Sequence, residues 1–147
     1  MDNFDGDFIQ RHARAVANYC HVHVIGVIRD ASITGKDPVI EKNVTGNLTE
    51  QVIYYNSVKT GLNILDRYLS QQKYKRLYQK AIKEYIAANG KPELVHVHVA
   101  MKAGTLALWM LRHWNIPFIV SEHWTGYLPD ADTRLNNFSL IYSRWFK

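Results

Sequence analysis

Two places in this chain set hydrogen-bonding or proton-transferring side chains at the end of an apolar run. His96 and His98 lie in Leu94-Val95-His96-Val97-His98-Val99, and Glu122 and His123 follow Ile116-Pro117-Phe118-Ile119-Val120-Ser121. If both runs are strands of a parallel sheet, groups at their carboxyl ends face the crevice where such sheets bind ligands. His96 and His98 stand two apart, so they share a strand face with their backbones about 7 Å apart. Two imidazoles so placed can chelate a cation. No carboxylate or thiolate stands at recognisable spacing to complete such a set, so no metal is expected. The expectation is instead a buried, hydrogen-bonded His96, with His98, nearer the strand end, touching a ligand. Glu122 and His123 suit hydrogen bonding to hydroxyls or phosphate, with Glu122 orienting a ligand hydroxyl rather than acting as a nucleophile.

Further polar and aromatic groups border the same region of sequence. Trp124 and Tyr127 offer flat apolar faces with a polar edge, the surface that stacks on ring-shaped polar ligands. Trp124 packed beneath the following loop is the competing reading. Lys102 is read either as a rim residue or as a solvated residue at a helix start. Near the amino terminus, Asp5-Gly6-Asp7 precedes a helical pattern. Unpaired N–H groups of a first helical turn attract anions, but Asp5 and Asp7 repel a phosphate and favour hydroxyl partners. A plain tight turn at Gly6 is the alternative.

The elements that must position these groups follow from periodicity. Ile9, Ala13, Val16, Ala17 and Cys20 recur at helical spacing, and residues 22–28 form a nearly continuous apolar run that suits a strand covered on both sides. Residues 29–49 read as a long loop or weak hairpin, and 51–55 as a short strand. A long helix is expected from near Gly61 to Asn89-Gly90, with an interruption around 70–72 and Pro92 preventing continuation. Then come a strand at 94–99, a helix at about 103–114, a strand at 117–121 and a last helix at about 133–146. Strands alternating with helices indicate an α/β fold with a mostly parallel sheet.

Composition bounds the rest. The 147 residues are 47% hydrophobic and 21% charged, ordinary for one globular domain rather than a disordered chain. No apolar run reaches the roughly 18 residues of a membrane span, and the charged opening lacks a signal-peptide core, so a cytoplasmic location is expected. The single cysteine, Cys20, is expected to be a buried, inert thiol. A net charge of +5 attracts anionic partners. The charge gathers in the long helix, where Arg67, Lys73, Lys75, Arg76, Lys80 and Lys83 are interleaved with Tyr68, Tyr74, Tyr78 and Tyr85. Its main reading is a solvated face with tyrosines packed inward; an anionic membrane surface comes next, and nucleic acid is not expected because no recognition motif accompanies the charge.

Three of these stretches resemble the amino-terminal, acceptor-side half of family 4 retaining glycosyltransferases of the GT-B fold. They are Asp5-Gly6-Asp7-Phe8-Ile9-Gln10-Arg11-His12-Ala13, Val95-His96-Val97-His98, and the segment from Ile116 to His123 with Trp124-Thr125-Gly126-Tyr127 after it. The resemblance implies a Rossmann-like sheet flanked by helices and a nucleotide-sugar donor as substrate, with no required cofactor. It also implies a glycan or lipid-linked acceptor, with the enzyme seated peripherally on the inner face of the membrane. It assigns His123 to the donor phosphate or sugar, and Gly6, Asp7, His98, Lys102, Trp124 and Tyr127 to substrate binding. Two departures stand out. The family's first strand and its carboxyl-terminal nucleotide-sugar domain are not in the sequence, so the chain reads as one domain over 1–147, inactive alone. A vacant central strand position predicts marginal stability or homodimerisation. A non-catalytic glycan- or nucleotide-binding module is the alternative.

Overall fold

Segments rich in β-branched and aromatic residues at 22–29 and 48–55 build the first sheet. The computed structural model describes residues 7–33, 35, 37–98 and 100–121, without the side chains of Asp7, Met101 and Lys102. The chain divides into two compact units, Met1–Glu93 and Leu94–Lys147.

In the first unit, helix α1 (Asp7–Val16) leads into β1 (Val22–Arg29), β2 (Val39–Thr45), β3 (Leu48–Tyr55) and the long helix α2 (Asn63–Asn89). The strand order is β1-β3-β2. β1 runs parallel to β3, with Val27 opposite Ile53, and β2 runs antiparallel to β3, with Ile40 opposite Ile53. The segment read as a loop or weak hairpin thus contains a full strand. Its turn is Gly46-Asn47, with Gly46 at φ 57°, a conformation that needs no Cβ and matches the twist of a two-residue hairpin. Mixed α/β architecture is observed, while this sheet contains one parallel and one antiparallel pairing.

Because side chains alternate across a strand, Val27, Ile53 and Tyr55 fall on one face. There they form a core with Ala81 of α2, and Ile25, Tyr74, Leu77 and Tyr78 pack around them. The even-numbered residues of β1 occupy the other face, and Ile28 is exposed there. β1 is therefore not covered on both sides along its length, contrary to the expectation from its apolar run.

Helix α2 is unbroken through Ser70-Gln71-Gln72. The Ser70 hydroxyl, which competes for backbone groups in a free helix, is instead engaged by the N–H of Val58 at 3.0 Å. At the start of the helix Leu62 supplies no side-chain cap. The Asp66 carboxylate reaches back to accept from the N–H and hydroxyl of Thr60, and these bonds hold its pKa below the usual value. Cys20 is exposed, not buried. α1 ends at Val16, so Cys20 lies beyond the helical repeat that would have turned it inward.

The second unit holds β4 (Val95–His98), α3 (Ala100–Trp114) and β5 (Phe118–Ser121). β4 and β5 pair in parallel. Among the described residues no helix is long and apolar enough to cross a membrane. The helix expected at about 133–146 lies outside the described residues.

Candidate functional site

The β4–α3–β5 segment positions the candidate site. Val97 is buried, as are Leu106, Ala107 and Met110 of α3 and Ile116 beyond it, and α3 packs on both strands. The period of two then puts His96 and His98 on the face of β4 opposite Val97. α3 stops at Asn115, whose φ of 54° is the left-handed conformation of a helix end. The Asn115 N–H donates to the carbonyl of Leu111 at 2.8 Å, and Pro117 prevents further helix. This stop starts β5 in register with β4: the Val95 N–H donates to the Pro117 carbonyl at 3.0 Å, and His98 faces Ser121.

Both strands thus end at the same edge, with polar side chains on one face. His96 Nε2 lies 2.7 Å from Ser121 Oγ, a hydrogen bond that fixes the ring. The His96 and His98 rings lie against one another, centroids 4.1 Å apart and tilted by 34°. Both histidines and Ser121 are half-buried. The arrangement offers two imidazoles and a hydroxyl converging on one surface, suited to hydrogen-bonding a polar ligand or to ligating a cation.

Of the residues singled out by sequence, His98 stands where its spacing placed it, at the end of β4. Lys102 lies in the first turns of α3 and Asp7 at the first position of α1. Gly6, Glu122, His123, Trp124 and Tyr127 lie outside the described residues. His96 is half-buried and hydrogen-bonded, as expected in kind, but its partner, Ser121, was not singled out. Only the parallel register reveals that partnership, since nothing in the spacing of residues 96 and 121 encodes it.

The basic helix forms a second surface. Lys73, Arg76 and Lys80 line a groove of about 390 Å³ on α2 with Val58, Leu69 and Leu77. Lys73 bridges to Asp37, donates to the Asn56 carbonyl at 3.1 Å, and sits 5.8 Å from the centre of the Tyr55 ring. Lys80 reaches Glu84 at 3.8 Å in an exposed pair that adds little stability. Tyr74 and Tyr78 pack inward, edge to face at 5.0 Å, and burial raises the Tyr74 pKa far above the ordinary phenol value. Tyr68 departs from the inward pattern and is exposed.

The chain matches no family model, no curated protein and no solved structure.

Proposed function

We propose that this chain is the acceptor-side, Rossmann-like part of a glycosyltransferase that moves a sugar from a nucleotide-sugar donor to a glycan or lipid-linked acceptor. One observation supports the reading most directly. β4 and β5 are parallel, joined by α3, with His98 opposite Ser121, so the two strands end at one edge, and Glu122-His123-Trp124 come next in the sequence. Polar groups at neighbouring carboxyl ends of parallel strands are where α/β folds bind their ligands.

In this reading His123 donates a hydrogen bond to the departing phosphate, stabilising charge that builds as the sugar–phosphate bond breaks. His98 and Trp124 hold the sugar or acceptor, and Glu122 orients an acceptor hydroxyl. Gly6, Asp7, Lys102 and Tyr127 are assigned to substrate by the sequence resemblance alone. The donor is a substrate, and no cofactor is invoked.

The groove on α2 supplies the second element of the reading. Lys73, Arg76 and Lys80 beside an apolar floor suit an anionic membrane surface, which would bring a lipid-linked acceptor to a peripheral, cytoplasmic enzyme. Sedimentation with phosphatidylglycerol vesicles at low salt should pellet the protein. Pelleting should fail at high salt and in an Arg76→Glu, Lys80→Glu variant. Salt-insensitive pelleting, or none at low salt, would remove the membrane from the reading.

The catalytic part is tested by extending the reading frame and assaying the longest product with a panel of nucleotide sugars. A second α/β domain downstream and donor turnover lost in His123→Ala support it. Glycan or nucleotide binding without turnover in that longest product would favour the non-catalytic module. Turnover by the 147-residue chain alone would contradict the assignment of this half to the acceptor.

A further inference from the structure

We infer that His96 and His98 form a chelating pair for a divalent transition-metal cation of the imidazole-preferring class, Zn²⁺ being the representative. The inference does not rest on sugar transfer, although it uses the His98 that the proposed function assigns to the sugar or acceptor, and it departs from the expectation drawn from spacing alone. What spacing could not supply was the conformation of the two rings. Strand geometry puts the two backbones about 7 Å apart, yet the rings converge to 4.1 Å between centroids, and a ring nitrogen of each lies within 4.8 Å of the other. Two nitrogens bound at about 2.0–2.1 Å to one Zn²⁺ are at most roughly 4 Å apart, so small side-chain rotations bring this pair onto one ion.

A second feature points the same way. Metal-ligating histidines are held by a hydrogen bond at the ring nitrogen that does not bind the metal, which fixes tautomer and orientation. His96 has such a bond, between Nε2 and the Ser121 hydroxyl at 2.7 Å. With Nε2 engaged by Ser121, the remaining ring nitrogen is the one that would bind the ion, and the parallel register of β4 and β5 supplies the backing. Two imidazoles with water completing the shell select by softness and by the order of stability of divalent ions, so Cu²⁺ and Ni²⁺ should bind as well and Mg²⁺ and Ca²⁺ should not.

Isothermal titration of Zn²⁺ into the full chain tests this, in a Cys20→Ser background so that the exposed thiol does not compete. One ion per chain is expected, weakened at least about tenfold by His96→Gln or His98→Gln and about tenfold by Ser121→Ala. Equal binding by the wild type and the double histidine variant would overturn the assignment, as would Mg²⁺ binding as tightly as Zn²⁺. Should the double variant lose its circular-dichroism signature, histidine modification of the wild type by diethylpyrocarbonate decides the matter. Zn²⁺ must protect His96 and His98 in peptide mass spectra, and undiminished modification of both would sink the proposal.

Discussion

The backbone N–H of Val27 donates to the hydroxyl of Tyr78 at 3.3 Å, so a side chain of α2 satisfies a donor on β1. β1 stands at the edge of its sheet, and the N–H groups of Val22 and of Asp30, just beyond its end, donate to the carbonyls of Asn47 and Tyr55. Odd-numbered residues such as Val27 therefore point their amides away from β3. Tyr78→Phe keeps the ring packed against Tyr74 but strips this buried-core strand residue of its acceptor. The expected cost is about 1–2 kcal/mol in urea denaturation followed by circular dichroism. An unchanged midpoint would show that water replaces the hydroxyl.

Lys73 ties three pieces of the first unit together through Asp37, the Asn56 carbonyl and the Tyr55 ring. The pair with Asp37 is partly screened, with side chains 28% and 24% exposed, which places it between a surface and a buried ion pair. A double-mutant cycle with Lys73→Met and Asp37→Asn should give a coupling of about 0.5–1 kcal/mol, shrinking in high salt. A coupling indistinguishable from zero at low salt would show the pair to be incidental.

His23 should make stability depend on pH. It is half-buried against Tyr85 at 4.7 Å between ring centroids and lies 3.3 Å from Gln51 Oε1. Burial lowers its pKa below the ordinary value, the Gln51 hydrogen bond opposes the shift, and Lys42 adds to it. The unfolded chain therefore binds the proton more readily than the folded one. The contribution is fully present above about pH 6.5 and is lost as pH falls through the lowered folded value. Wild type and His23→Gln compared by thermal melts from pH 8 to 5 should diverge in slope across that window, the variant being flatter. Parallel curves would refute the assignment.

Asn115 carries the left-handed turn that ends α3 and begins the approach to β5. Asn115→Gly should hold or slightly raise stability, whereas Asn115→Ala should cost about 1 kcal/mol, because a Cβ without a compensating polar group disfavours φ near 54°. Thermal denaturation of the two variants checks the order, and alanine proving the more stable would show that the turn relaxes.

Much of this architecture is written in short-range pattern. Valines and isoleucines at 22–28 and 94–99, the helical repeats at 61–89 and 103–114, and the punctuation by Gly90, Pro92 and Pro117 place β1, β4, α2 and α3 within a few residues. Misreadings arose where neighbours outweigh propensity. The polar strand β2 has almost no apolar alternation and exists because β3 offers it a ladder and Gly46 a turn. Ser70-Gln71-Gln72 stays helical because Val58 engages the serine. Cys20 is exposed because α1 stops one turn short of it.

The candidate site divides in the same way. Residue order alone placed His98 at a strand end and put both histidines on one face, since a strand's period of two is a local property of the backbone. Which residue meets His96, how closely the two rings approach, and that Ser121 belongs with them were decided by the parallel register of β4 and β5 and by the turn at Asn115. Register depends on where α3 ends and how Val97 packs with its neighbours, and such long-range choices leave no periodic mark in the chain.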